Sequence, residues 1–297
     1  MLKVIRKKIN QYVKSSAATM LDSLTKEGVS ANQIEQAHLK HFYDSLKPFR
    51  DAPNFDSVKS ICDLLEPDQK HEVSELCGVI VETREHAALE PVIENVLSLL
   101  QIPIQLYHGT SNLDYINQSG IKKHIDSGRV VLTALNIDIL SAPIYNALFL
   151  SSDFWKSVIG RSKILVFQTD ALLCKDSKYS VSDFIKYDYI GSAWNRGRPV
   201  GMIANGGNGG LSIRDWHKTC DVLTRFPSQA WPAGEDGYFA FHLELIGAKV
   251  ADLANSRKFG TQLDFVEKSF GCHKITDLSK SELLKFLVYC PEANVLL

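Results

Sequence analysis

Between residues 76 and 170, apolar runs alternate with stretches of helical periodicity. Residues 76–81 (LCGVIV) form a short, β-branched run closing in Glu82-Thr83-Arg84, the pattern of a buried strand that leaves the core through polar residues. Leu89, Val92, Ile93, Val96, Leu97 and Leu100 then fall on one helical face, with Pro91 tolerated in the first turn. Residues 102–107 predict a second strand ending at His108-Gly109-Thr110, and residues 130–132 a third. Helical stretches around 145–149 and 153–159 lead into KILVFQTD, residues 163–170, an apolar strand whose carboxyl end is Gln168-Thr169-Asp170. This repetition predicts an α/β fold with a mixed, mostly parallel sheet flanked by helices. Beyond Asp170 the pattern changes. Brief strands are expected at 188–191 and 210–213, with the glycine-rich segment 206–210 between them, and helices at 214–223, 236–246 and 281–289.

The first 70 residues read differently, with helical patterns, polar breaks and no strand. They predict a helical N-terminal extension ahead of a core domain over residues 71–297. Its first segment places Leu2, Ile5, Ile9 and Val13 on one face beside Lys3, Arg6, Lys7 and Lys8. Such a helix suits packing or self-association into a homo-oligomer, or contact with an anionic membrane surface. No apolar run approaches the roughly 18–20 residues a membrane-spanning helix needs, and the basic start lacks the apolar segment of a signal peptide. A formal net charge of −1 over 297 residues gives no nucleic-acid footprint. The six cysteines (62, 77, 174, 220, 272, 290) are scattered, without a CxxC pair. They read as reduced core thiols of a cytoplasmic protein, peripheral to a membrane if the basic helix docks there.

Ligands of open α/β sheets sit outside the carboxyl ends of the strands, which makes Asp170 a candidate for chemistry. Gln168 shares its face, because strand side chains alternate. A carboxylate there can hold Mn²⁺ or Mg²⁺ through oxygen and let the cation neutralise a diphosphate; otherwise it is a solvated strand end. Gly206-Gly207-Asn208-Gly209-Gly210 allows positive φ and close backbone approach, yet matches neither the dinucleotide fingerprint nor the P-loop. It reads as a hairpin loop or as a ligand cradle in which Asn208 addresses sugar hydroxyls. Glu235-Asp236 opens a helix, where carboxylates serve as ordinary capping groups and also stay ionised, as a general base must. His273 suits a neutral metal ligand or a structural imidazole, and Lys274 a phosphate contact. Trp194 suits stacking on a sugar face or core packing. The tripeptide His108-Gly109-Thr110 also occurs in ADP-ribosyl-transferring enzymes, where it grips the nicotinamide end of NAD on a strand-rich split sheet.

With these residues in view, the chain resembles a family of glycosyltransferases catalogued mainly as a domain of unknown function. The resemblance runs from about Leu76 to Ile275. It is carried in order by VIVETREHAALEPVIENVL, IQLYHGTSN, YNALFLSSDFW, ILVFQTDALLC, DFIKYDYIGSAWN, GNGGLSIR, EDGYFAFHL and FGCHK. It implies a GT-A-like fold that binds a nucleotide-sugar donor at the carboxyl ends of the first strands and moves the sugar to a glycan or other hydroxyl acceptor. Gln168-Thr169-Asp170 is then similar to the Asp-x-Asp metal motif with its first Asp replaced by Gln. His273 resembles the late histidine that completes the metal site. The implied donor contacts are Glu82, Arg84, Gln168, Thr169, Asp170, Gly207, Asn208, Gly209, Gly210 and Lys274. Asp170 and His273 would hold the divalent cation, Asp236 or Glu235 would act as base, and Trp194 would meet the acceptor. The Gln at 168 also suits a sugar- or nucleotide-binding module without turnover, and His108 keeps NAD-dependent ADP-ribosyl transfer as a further alternative.

Overall fold

The computed structural model describes residues 26–28, 30, 33, 43, 52–62, 65, 66, 75–194 and 205–297. The chain divides into two compact units, Met1–Lys47 and Pro48–Leu297, and the second carries the sheet and the candidate site. The basic helix expected over residues 2–13 lies outside the described residues. A later piece of the predicted extension, helix α1 (Asp56–Cys62), is in the second unit, burying Val58, Ile61 and Cys62. The Asn54 amide just before it donates to the Pro143 carbonyl at 3.0 Å.

Strand β1 (Leu76–Glu82) is buried along its whole length, as its continuous apolar run requires when helices cover both sheet faces. Helix α2 (Leu89–Leu100) turns its apolar stripe of Leu89, Val92, Ile93, Val96 and Leu97 into the core and ends at Gln101 in the left-handed conformation. Strand β2 (Ile104–His108), helices α3 (Leu113–Gln118) and α4 (Lys122–Asp126), and strand β3 (Val130–Ala134) follow. Helices α5 (Ala142–Phe149) and α6 (Ser152–Lys156) then lead to strand β4 (Lys163–Phe167). Beyond it come β5 (Ala171–Leu173), β6 (Tyr189–Ser192), β7 (Asn208–Asp215), α7 (Trp216–Arg225), α8 (Glu235–Leu245), α9 (Leu253–Phe259), β8 (Gly260–Thr261), β9 (Gly271–His273) and α10 (Lys280–Tyr289).

The main sheet has the order β3-β2-β1-β4-β7-β6. β3, β2, β1 and β4 are mutually parallel, whereas β7 runs antiparallel to both β4 and β6. The mixed, mostly parallel α/β sheet expected from the sequence is therefore present. A second sheet, β5-β9-β8, continues from β4 and packs a smaller core of Leu172, Cys174, Cys272, Ile275 and Phe286. No cue in the short runs at 171–173, 260–261 and 271–273 predicted it.

The strand order fixes where a ligand belongs. From β1 the chain steps outward to β2 and β3, then returns to place β4 on the other flank of β1. The crevice between the carboxyl ends of β1 and β4 is thus the topological switch point, the ligand-binding position of open α/β sheets. Glu82-Thr83-Arg84 and Gln168-Thr169-Asp170 lie on its two sides. Thr169 Oγ1 donates to Glu82 Oε2 across it at 3.2 Å.

Candidate functional site at the switch point

Beyond β4 the chain turns directly into β5, which pairs antiparallel with β9 and sets Ala171 opposite His273. His273 is therefore a strand residue, and its position is fixed by backbone pairing. The Lys274 amide donates to the Asp170 carbonyl at 3.0 Å, and the Gln168 amide to the Gly210 carbonyl at 2.9 Å. Two stretches far apart in sequence are held against the end of β4 this way.

His273 Nε2 lies 3.2 Å from Asp170 Oδ1 and 3.3 Å from Gln168 Oε1, while Nδ1 lies 3.3 Å from Gln262 Oε1. The imidazole is 1% exposed, whereas the Asp170 side chain is 42% exposed. Asp170 Oδ1 is nevertheless a buried oxygen that no hydrogen-bond donor meets in good alignment. Burial pushes the Asp170 carboxyl up, but the His273 contact and the Lys274 charge outweigh that and hold it below the usual carboxylate range. Gln262 was not singled out from the sequence, since a lone glutamine after a two-residue strand carries no signal.

The glycine segment departs from the loop expected between two strands. Asn208, Gly209 and Gly210 belong to β7, and positive φ is confined to Gly206 and Gly207 (105° and 104°). Gly207 serves the fold: its carbonyl accepts from the Tyr189 hydroxyl at 3.0 Å, and a Cβ there would collide with Gly191. Asn208 Oδ1 accepts from the Gly210 amide at 2.8 Å. Gly210 faces the histidine, where a Cβ would lie 2.2 Å from His273 Nε2 and 2.5 Å from Gln168 Oε1. A Cβ on Gly209 would lie 2.0 Å from Glu235 Oε1. Both glycines thus give up side-chain volume so that polar groups from other elements can reach the strand.

Arg214, expected to open a helix, is instead the penultimate residue of β7 and fully buried, with α7 beginning at Trp216 behind an Asp215 cap. Its guanidinium makes a two-pronged contact with Glu235, at 2.6 and 2.9 Å, and Nε donates to Ser212 Oγ at 3.0 Å. The rings of Phe149, Trp155, Tyr189 and Phe239 surround it at 5.2–5.7 Å. Burial alone would lower the Arg214 pKa, but the Glu235 charge more than reverses this, so the pair stays ionised. Arg214 shares its strand face with Ser212, so the stretch reads as an ordinary alternation of apolar and polar positions and gives no sign that the arginine is buried. Asp236, the next residue of α8, is buried and accepts from the Gly237 amide at 2.7 Å.

Tyr145 on α5 joins the two halves. It hydrogen-bonds Gln168, and burial first, then the Glu235 charge, pushes its hydroxyl pKa up. On the opposite flank Arg84 grips Glu82 with Nε and Nη2, both at 2.8 Å, while the Arg84 amide donates to Glu82 Oε1 at 2.9 Å. Burial raises the Glu82 carboxyl and Arg84 lowers it further than that, for a net downward shift. The Arg84 side chain remains 65% exposed. His108 is the register partner of Glu82 on β2, with Nδ1 2.6 Å from the Gly109 carbonyl. It ends a parallel strand at the same sheet edge. Trp194 stands apart, lining a cavity on the far side of Gln262. The structure thus brings together Gln168, Asp170, Gly210, His273 and Tyr145, and beside them Gly209, Glu235 and Arg214. Among the described residues no group of three or more His, Cys, Asp or Glu forms a metal cluster.

Residues 131–273 match the family described as Protein of unknown function (DUF5672). The match ends on His273 and takes in Asp170, the glycine segment and Glu235-Asp236. No curated protein matches the chain. Among solved structures it is similar to residues 1–349 of TarS from S. aureus, at 14% identity and a TM-score of 0.37, covering 56% of this chain and 54% of that one. The chain therefore spans about half the length of that relative. It is also similar to the glycosyltransferase GlyE of Streptococcus pneumoniae (12% identity, TM-score 0.43, 74% of this chain and 62% of that one). A third similar structure is the galactosyltransferase LgtC with donor and acceptor sugar analogs (13% identity, TM-score 0.41, 66% and 86%). Among the described residues no helix is long and apolar enough to cross a membrane.

Proposed function

We propose that the chain is a glycosyltransferase that takes a sugar from a nucleoside-diphosphate donor seated in the β1/β4 crevice. The observation that carries this reading is the meeting of Asp170, Gln168, Gly210 and His273 at the topological switch point, with Arg84 on its other wall.

The donor set suits a hard divalent cation. Asp170 Oδ1 is buried without an aligned donor, and His273 Nε2 lies 3.2 Å from it. Two ligands at right angles around an ion, each about 2.1 Å away, stand roughly 3 Å apart. An Nδ1–H donated to Gln262 leaves Nε2 with its lone pair on the Asp170 side. Asp170, His273 and the Gln168 amide oxygen would hold the ion, few protein ligands sufficing where phosphate supplies others. Once bound, the ion neutralises charge on the diphosphate oxygens.

The chain's own groups do the rest. Arg84 and Lys274 offset the charge that gathers on the diphosphate as the anomeric C–O bond breaks and the electron pair leaves with it. The backbone at Gly209 and Gly210 and the Asn208 amide border the sugar. Asp236 takes the acceptor hydroxyl proton in an inverting displacement. Glu235 is unsuited to that task, because protonating it would strand Arg214 as a buried unpaired charge.

The test is a panel of nucleoside-diphosphate sugars with Mn²⁺, reading nucleoside diphosphate release. Asp236→Asn is expected to retain nucleotide binding and lose release by about 10²–10⁴-fold. Nucleotide binding without release by the unaltered protein, unmoved by Asp170→Asn, would favour a binding module. Absence of both would refute the proposal.

A further inference from the structure

We propose that a second cavity, separated from the switch-point site by the Gln262 side chain, is a pyranose-binding subsite that receives the acceptor. Its acceptor role rests on the transferase reading; its ligand class does not.

The cavity, of about 220 Å³, is bordered by the exit of β6 at Trp194, by Arg257 of α9, and by Gln262 and Asp264 beyond β8. For scale, an apolar cavity of about 150 Å³ accepts benzene, so one six-membered ring with its substituents is the right size here. Wall chemistry narrows the class. Trp194 offers an indole, which suits the C–H face of a sugar ring. Arg257 Nη1 and Asp264 Oδ2 pair at 2.7 Å, with side chains 43% and 62% exposed, giving donors and acceptors at the rim. Because that carboxylate neutralises the guanidinium, the rim carries no net charge to attract a phosphate. The guanidinium N–H groups and the carboxylate oxygen that this pair does not use can meet hydroxyls of an occupant, which a purely apolar one would not supply. A neutral ligand with an apolar face and a rim of hydroxyls satisfies both walls.

Gln262 supplies the link. The residue is 7% exposed, and its Oε1 faces His273 Nδ1 at 3.3 Å. Its amide NH₂ makes no hydrogen bond with the described residues. One amide therefore addresses the imidazole through oxygen and has two N–H donors left for a hydroxyl in the cavity. A sugar bound there is one side chain away from the histidine that faces Asp170.

The experiment follows the Trp194 indole N–H resonance, assigned with Trp194→Phe. The full chain is titrated without nucleotide, using the methyl glycosides of glucose, galactose, mannose and N-acetylglucosamine, and inorganic phosphate as the anionic comparison. At least one glycoside is expected to shift the resonance saturably while phosphate does not. Trp194→Ala and Gln262→Ala are each expected to weaken that glycoside roughly tenfold by calorimetry. No response to any glycoside, or affinity unchanged in both variants, overturns the subsite. Nucleotide-sugar cleavage is read on the same sample. Cleavage with no glycoside response overturns this inference and leaves glycosyl transfer standing. A glycoside response without nucleotide binding or cleavage upholds the sugar subsite and removes its acceptor role together with the transferase reading.

Discussion

Gly210→Ala separates the site from the fold more cleanly than any change to a charged residue. Gly210 does not have positive φ, so alanine meets no backbone penalty and the added methyl acts through contact alone. That methyl would lie 2.2 Å from His273 Nε2, 2.6 Å from His273 Cε1 and 2.5 Å from Gln168 Oε1, all well inside van der Waals contact. The imidazole is enclosed and β9 is pinned by pairing, so the ring and the glutamine must yield by about 1 Å. Overpacking of this kind costs about 1–3 kcal/mol, or a fall in Tm of roughly 2–10 °C for a unit of this size. A displacement of about 1 Å at groups that position a ligand costs on the order of a hundredfold. The variant should therefore lose about two decades in affinity for UDP or GDP with Mn²⁺, measured by calorimetry, while remaining folded. Gly128→Ala is the matched control. Gly128 has φ +74° and open space around its Cβ position, so alanine there strains the backbone by about 1–2 kcal/mol far from the crevice. If the two variants lose similar stability and bind nucleotide equally well, the crevice at Gly210 is not the ligand site and the reasoning fails.

Three further outcomes test other parts of the structure. Arg214→Met leaves Glu235 buried and unpaired and should cost about 3–5 kcal/mol in urea unfolding. Pairing it with Glu235→Leu should recover most of that loss, and a single variant within 1 kcal/mol of the parent would show that the ion pair is not held as drawn. Burial pushes the His242 pKa down from 6.5 to about 3, so its neutral form belongs to the folded state. Its contribution is complete above pH 6.5 and is lost as pH falls toward 3, amounting to about 2 kcal/mol at pH 5. His242→Leu should flatten that part of the Tm–pH curve, and an unchanged slope would contradict the burial. Arg84→Ala removes a largely exposed partner of Glu82 and should alter stability by less than about 1 kcal/mol. It should weaken nucleoside diphosphate binding about tenfold and raise the Glu82 pKa, and a stability loss without a binding loss would make Arg84 structural.

Several features of the site were legible because they depend on local pattern. The runs at 76–81 and 163–167 could only be buried strands, and each places its polar ending at a sheet edge whatever the later topology. Gln168-Thr169-Asp170 and Glu82-Thr83-Arg84 were found for that reason. The glycine cluster at 206–210 advertised close approach of some kind, and two of its members prove to be crowded by polar groups. What the cluster could not reveal was what approaches, because His273 and Gln168 reach Gly210 through pairings spanning 63 and 42 residues of chain. Glu235 and Asp236 illustrate the same limit. As neighbours in one helical turn they are equivalent by sequence, and only the position of Arg214 on β7 distinguishes them.

The small sheet was not legible, and its role explains why. β5, β8 and β9 are two or three residues long, too short for any alternation to register, and the pairing that joins β5 to β9 spans about 100 residues of chain. Their stability comes from the Cys272–Phe286 core beneath them and from continuity with β4, both tertiary effects. Yet this sheet sets the distance between Asp170 and His273, since Ala171 and His273 are register partners and Lys274 is bonded back to Asp170. The geometry that would hold a cation is therefore a property of backbone pairing more than of side-chain choice. It follows that loosening β9 should disturb the candidate site even where Asp170, Gln168 and His273 are untouched. Gly271→Ala, whose Cβ would lie 2.7 Å from the Leu172 carbonyl and 2.8 Å from Leu211 Cδ2, pries β9 from β5 two residues before His273. It should weaken Mn²⁺-dependent nucleotide binding more than Mn²⁺-independent binding. Equal loss in both would mean that the pairing supports the fold without setting the metal geometry.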